Sequence, residues 1–165
     1  MTEANVDFVL MRTFDAPREL VFRTMIEKEH LRKWWGPAGC TIGVLRHEPV
    51  PGGVFHYLMK FGPGAEMYGR FDYREIAAPE KIVFVNGFAD AAGQRIHHPM
   101  SPTWPLEMLV TIVLQELDGR THMTLHSSPL NAGELERQTF KAGHASMQQG
   151  FGGMYDLYDQ YLAAL

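Results

Sequence analysis

Residues 140–165, FKAGHASMQQGFGGMYDLYDQYLAAL, close the chain and decide its architecture. Phe140, Met147, Phe151, Met154, Tyr158, Tyr161 and Leu165 recur at steps of three, four and seven, which puts them on one stripe of a helix. Asn131 followed by Glu134 has the form of a capping box, so one long amphipathic helix is expected from there to the last residue. An apolar stripe of that length must be covered by another layer. Gly143, Gly150, Gly152 and Gly153 weaken the pattern, each by about 1 kcal/mol relative to alanine in a helix interior. Either the helix is poorly optimised, or its small residues leave room for something beside it.

The covering layer lies upstream. Strand-like segments at 41–47, 53–61, 66–76 and 81–88 are separated by the turn signals Pro51-Gly52-Gly53, Gly62-Pro63-Gly64 and Pro79-Glu80. Segments 106–117 and 121–128 form a hairpin around Asp118-Gly119. Before all of these, VDFVLMRTF (6–14) reads as a strand that runs into a helix capped by Asp15 and begun by Ala16-Pro17. That helix carries Leu20, Val21, Met25 and Ile26 on one side, and a second short helix, EKEHLRKWW (27–35), stops at Gly36-Pro37. Strand, two short helices, six strands and a long helix make an α+β plan: an antiparallel sheet that must curl over the final helix. With no repeat and no low-complexity segment, residues 1–165 read as a single domain.

Composition narrows the partners. With 15 basic against 19 acidic residues and a net charge of -4, the chain lacks the electrostatic footprint of a nucleic-acid or anionic-membrane binder. No apolar run approaches the roughly 20 residues of a membrane span, and MTEANVDF is acidic and polar where a secretory signal needs a basic and then an apolar stretch. The lone Cys40 allows no internal disulfide and no cysteine-based zinc cluster, so a reducing cytoplasm is the expected location.

Four segments carry a resemblance: RTFDAPRELVFRTM (12–25) with EHLRKWWGP (29–37), PGGVFHYLM (51–59), and YREIAAPEKIVF (73–84), together with the C-terminal helix. The chain resembles the bacterial proteins related to the C-terminal domain of the activator of Hsp90 ATPase, within the START-like or SRPBCC superfamily. The resemblance implies a helix-grip fold, a curved seven-strand antiparallel sheet around the long C-terminal helix, with a hydrophobic cavity between the two. It also implies a domain in which relatives bind lipids, hormones or polyketides, and some are cyclases or hydrolases. Fold is carried over more firmly than function.

Strand parity then selects the side chains facing that cavity, because alternate residues point to opposite faces. Phe55, Tyr57, Met59 and Phe61 face inward from one strand, leaving His56 and Lys60 to water. Met108, Val110, Ile112 and Leu114 face inward from another, and Met123, Leu125 and Ser127 from the last. The helix adds Phe140, His144, Met147, Phe151 and Met154. Each of these positions also has a plain reading as packed core. Methionines, flexible and polarizable, suit a pocket for varied apolar ligands.

Eight histidines raise the question of a metal. His122 and His126, four apart in a strand, stand about 13 Å apart, and no HExxH or CxxC spacing occurs, so no metal or other cofactor is expected. His144 is the one candidate for acid/base work, because it falls on the apolar stripe, where it is either a satisfied structural histidine or a polar anchor. Ser127 could approach it, but no third residue orients the pair. Trp34 and Trp35 read as a plug on the sheet or as a gate. HHPMSPTWP (97–105) sits in the long 87–105 connection, with prolines 99, 102 and 105 at the polyproline II repeat. It is expected to be a stiff rim or lid, with Met100 or Trp104 at the pocket mouth.

The function expected is binding of a hydrophobic or amphipathic small molecule, or a lipid, by a monomer or homodimer without integral membrane association. A cyclase- or hydrolase-like enzyme using a cavity histidine is the second reading, weakened by the lack of another catalytic group. A chaperone-regulating interaction protein is the third.

Overall fold

Phe8–Phe14 form the first strand, β1, in which Phe8, Leu10 and Phe14 are buried while Val9 and Met11 are exposed. This computed structural model describes residues 5–165, so the first four residues of the MTEANVDF reading lie outside the described residues. Two short helices follow, α1 (Arg18–Ile26) and α2 (Lys28–Trp34), separated by extended backbone at Glu27. Asp15 does not cap α1: the N-cap position is Pro17, and no side chain bonds the first turn. The ring fixes the φ of Pro17 at -67°, which is enough to aim the chain into the helix.

Seven more strands complete the sheet: β2 (Thr41–His47), β3 (Val54–Lys60), β4 (Glu66–Ala77), β5 (Lys81–Ala89), β6 (Arg95–Ile96), β7 (Glu107–Leu117) and β8 (Arg120–Leu130). They pair antiparallel in the order β1-β8-β7-β5-β4-β3-β2, with the two-residue β6 against β5. The sequence plan has seven strands; the eighth is this short piece inside the 87–105 connection. Register shifts at Val44/Arg46 and Tyr73/Glu75 mark bulges, which bend strands and raise their twist. Asp118 and Gly119 both take positive φ, 52° and 79°, as a type I′ hairpin turn between β7 and β8 requires.

The C-terminal segment is two helices, not one. α3 (Glu134–Ala142) and α4 (His144–Ala163) meet at Gly143, whose N–H bonds back to Thr139 and Phe140 at 3.0 and 3.1 Å. A Cβ on Gly143 would stand 2.7 Å from the Trp104 ring, so glycine lets the loop tryptophan press against the junction. Asn131 is not a cap either. It sits at φ 52°, and Glu136 instead accepts from the Gly133 N–H at 3.4 Å.

Helix α4 is fastened at its C-terminal half. Tyr155 and Tyr158 are fully buried, the Tyr158 and Thr24 hydroxyls lie 2.6 Å apart, and the Trp34 indole donates to the Thr24 carbonyl at 2.7 Å. Arg12, on β1, reaches Asp156 at 2.6 Å, Asp159 at 2.7 Å and the Gly152 carbonyl at 3.3 Å. The sheet, α1, α2 and this half-helix share one hydrophobic core. Burying each large side chain there contributes roughly 1.5–3 kcal/mol.

On the outer face, His56 does not meet water as parity alone suggests. It is 7% exposed because the turn at 90–94 folds over it, with the Asp90 carbonyl 3.0 Å from Nε2. Beside it Asp72 pairs with Arg70 at 2.9 Å and with Arg95. Burial opposes ionisation of Asp72, but bonds from Arg70 and the charge of Arg95 outweigh it and hold the carboxyl below the usual range.

Candidate functional site

Each inward-facing strand has two ends with different fates. Along β7, Met108 and Val110 line a cavity, whereas Ile112 and Leu114 pack in the core. Along β8, Ser127 lines the cavity while Leu125 and Met123 lie in the core; register pairs Val110 with Ser127 and Ile112 with Leu125. On β3, Tyr57 and Met59 line it and Phe55 stands behind them. The helix repeats the division: Met147, Phe151 and Met154 line the cavity, and Tyr155, Tyr158 and Leu162 are core. Five strand residues expected in the cavity wall, Phe55, Ile112, Leu114, Met123 and Leu125, therefore point the expected way but sit in the closed end, and Phe140 of α3 is fully buried without lining the cavity. Parity gives the face of a sheet and says nothing about position along it.

The cavity has a volume of about 800 Å³ and opens past α3 and α4, where the exposed Ser146 and Gly150 form part of its rim. Aromatic rings and thioethers dominate its wall, and among the described residues no Asp, Glu, Lys or Arg lines it. Gly69 is needed here, because a Cβ would fall 2.3 Å from the Tyr57 hydroxyl; its absence lets that ring lie across β4. Burial pushes the Tyr57 phenol up to about 12, against a smaller pull from the Trp35 indole, so it stays neutral.

His144 is elsewhere. Its Nε2–H donates to the Val6 carbonyl at 2.8 Å, and its ring stands edge-on between Phe8 and Phe140, with centroids 5.6 and 5.5 Å away. It neither lines the cavity nor bonds Ser127, so the acid/base role loses its geometry. Helical periodicity placed it on the apolar stripe correctly, but the end of the stripe it occupies is the one facing β1.

Of the four rim candidates, Trp35 and Trp104 line the cavity. Trp35 packs edge-on against Tyr57 and Phe71, and Trp104 leans on Phe140 at 5.4 Å. Trp34 is a buried plug in the closed end, and Met100 is 88% exposed and lines nothing, so neither is a gate. Segment 97–105 is not a polyproline strap. Ser101 N–H bonds the His98 carbonyl at 3.1 Å and Trp104 N–H bonds the Ser101 carbonyl at 3.0 Å, which makes two successive turns. The turns bring Ser101 and His98 into the lining, and Thr103 meets Thr139 of α3 at 3.0 Å.

His98, Ser101, Asn86, Phe88 and Met67 line the cavity without having been singled out. The signal for two of them was present: in 81–88 the rule that puts Ile82 and Phe84 inward also puts Asn86 and Phe88 inward. His98 and Ser101 lie on turns, where no periodicity applies. Among the described residues no group of three His, Cys, Asp or Glu side chains could hold a metal ion, and no helix is long and apolar enough to cross a membrane. Cys40 is half-buried, and burial raises its thiol pKa.

A family model described as activator of Hsp90 ATPase homolog 1-like protein matches residues 15–163. Among solved structures, a protein from Arthrobacter aurescens is similar at TM-score 0.81 and 26% identity, covering 99% of this chain and 91% of that one. A protein from Mycobacterium smegmatis is similar at 0.77 and 21%, covering 96% and 92%. The AHSA1 protein of Silicibacter pomeroyi gives 0.69 and 20%, covering 96% and 98%. The latter two likenesses speak for the fold alone. No curated protein matches the chain.

Proposed function

The chain belongs to the activator of Hsp90 ATPase homolog 1-like family, and we propose that it acts there as a binding protein for a hydrophobic or amphipathic small molecule held between the sheet and helices α3 and α4. The observation that carries this reading is the cavity itself. Its roughly 800 Å³ falls within the range of small-molecule sites, and its wall is apolar with a few convergent polar groups. A core left hollow costs stability, since surrounding atoms lose dispersion partners, and an apolar ligand restores them. A reducing, cytoplasmic setting suits the lone thiol.

The test is a thermal unfolding screen with apolar probes, beginning with N-phenyl-1-naphthylamine. A binder at a hundred times its Kd adds about 2.7 kcal/mol, which raises Tm by roughly 5–10 °C for a chain of this size. Val110→Phe, which enlarges a wall residue, should reduce that shift by at least half. No stabilising probe at all, or a shift that is the same in Val110→Phe, would overturn the reading.

A further inference from the structure

His98 is the cavity histidine, and its protonation pattern is constrained by its own turn. The Met100 N–H donates to His98 Nδ1 at 3.0 Å, so in the neutral ring the proton sits on Nε2. Nε2–H then has no acceptor among the described residues. The ring is held edge-on against Phe88, with centroids 4.7 Å apart. Asn86 lies two residues from Phe88 on the same face of β5, about 6.6 Å along the strand, and its amide makes no hydrogen bond with the described residues. Both groups line a wall in which rings and thioethers predominate, alongside the hydroxyls of Ser101, Ser127, Thr139 and Ser146, and no charged side chain among the described residues lines it.

Building on the cavity reading above, we infer that His98 Nε2–H and the Asn86 amide form a polar anchor for an uncharged, multi-ring aromatic ligand bearing a carbonyl oxygen. The donor is fixed by the Met100 bond, which calls for an acceptor on the ligand. The amide of Asn86 supplies a second donor to the same oxygen or accepts from a neighbouring hydroxyl. Trp35, Tyr57, Phe88 and Trp104 offer ring faces and edges that suit flat aromatic systems. A carboxylate or phosphate headgroup would be stripped of water here without a countercharge, so fatty acids and phospholipids fit this wall poorly. A site built around unpartnered donors also rejects the hydrocarbon that lacks the oxygen, because the donors are then left buried and unpaired.

The test uses the full chain and three molecules of one shape: benzanthrone, a four-ring ketone, its hydrocarbon parent 7H-benz[de]anthracene, and a benzanthrone carboxylate. Benzanthrone affinity is read by its fluorescence and the others by competition. The ketone is expected to bind about tenfold more tightly than either analogue, the size of one to two buried hydrogen bonds. In His98→Phe that preference over the hydrocarbon should fall below about threefold, and Asn86→Leu should lower it partway. Histidine ¹⁵N shifts in the unmodified protein give a second readout that needs no variant: the His98 Nε2 resonance should move on adding benzanthrone, with His144 unchanged. Equal binding of ketone and hydrocarbon, or a preference that survives in His98→Phe, overturns the anchor and leaves the cavity reading standing. Failure of ketone and hydrocarbon alike to bind also overturns the anchor, while the cavity reading stands or falls on the N-phenyl-1-naphthylamine screen.

Discussion

The two ends of the sheet–helix interface are made from the same strands and the same helix, yet one is solid and the other hollow. At the closed end Leu114, Met123, Phe14, Tyr155 and Tyr158 are all at most 1% exposed, and Leu31 and Trp34 of α2 fill the space beneath them. At the open end the strands carry Ser127, Asn86 and Gly69, the α3–α4 junction carries Gly143 and α4 carries Gly150. What differs is the third layer. The short helices α1 and α2 supply large apolar side chains to the closed end, while the open end is bordered by the turns of 97–105, α3 and the Trp35-Gly36-Pro37 segment after α2, none of which fills the gap. A curled sheet around a helix leaves room that the helix alone cannot fill, so where no further element intrudes, a cavity remains.

The largest contrast should appear on truncation. Leu114→Ala, deep in the closed end, is expected to cost about 2–5 kcal/mol in denaturant unfolding, because its fully packed surroundings cannot collapse into the void. Met147→Ala, half-buried against the cavity, should cost about 1 kcal/mol or less, since one side of that thioether already lacks protein neighbours. Equal losses at the two sites would mean that the open end is as tightly packed in solution as the closed one.

A smaller effect separates the glycines. Gly143→Ala forces a methyl to within 2.7 Å of the Trp104 ring, which must move; tryptophan emission should change and unfolding free energy should fall by about 1–3 kcal/mol. Gly150→Ala meets no atom within 4 Å and should raise stability by about 0.5–1 kcal/mol. If the two substitutions act alike, the α3–α4 break is not set by Trp104.

The element order, the antiparallel sheet and the inward faces were legible in the sequence because they rest on local periodicity. Met108, Val110 and Ser127 could be placed on the cavity face by counting from a turn. That Ile112 and Leu125 stand in the solid end could not, since it depends on where α1 and α2 dock, two elements distant in sequence. Periodicity noted Gly143 as a weak point but did not place a break there, since the ring packed against it, Trp104, lies 39 residues earlier by subtraction of the two positions. Histidine shows the pattern most plainly. Helical spacing drew attention to His144, which is satisfied by Val6, whereas His98 reaches the cavity through turns that carry no period.

The most direct test of a hollow, ligand-binding end is a titration of ¹³C-methyl-methionine-labelled protein with N-phenyl-1-naphthylamine. Met59, Met67, Met108, Met147 and Met154 line the cavity, Met25 and Met123 are buried in the closed end, and Met11 and Met100 are exposed to solvent. The account predicts that the five cavity methyl resonances shift while Met25 and Met123 hold still. Shifts confined to Met11 and Met100, or no shift at saturating probe, would contradict it.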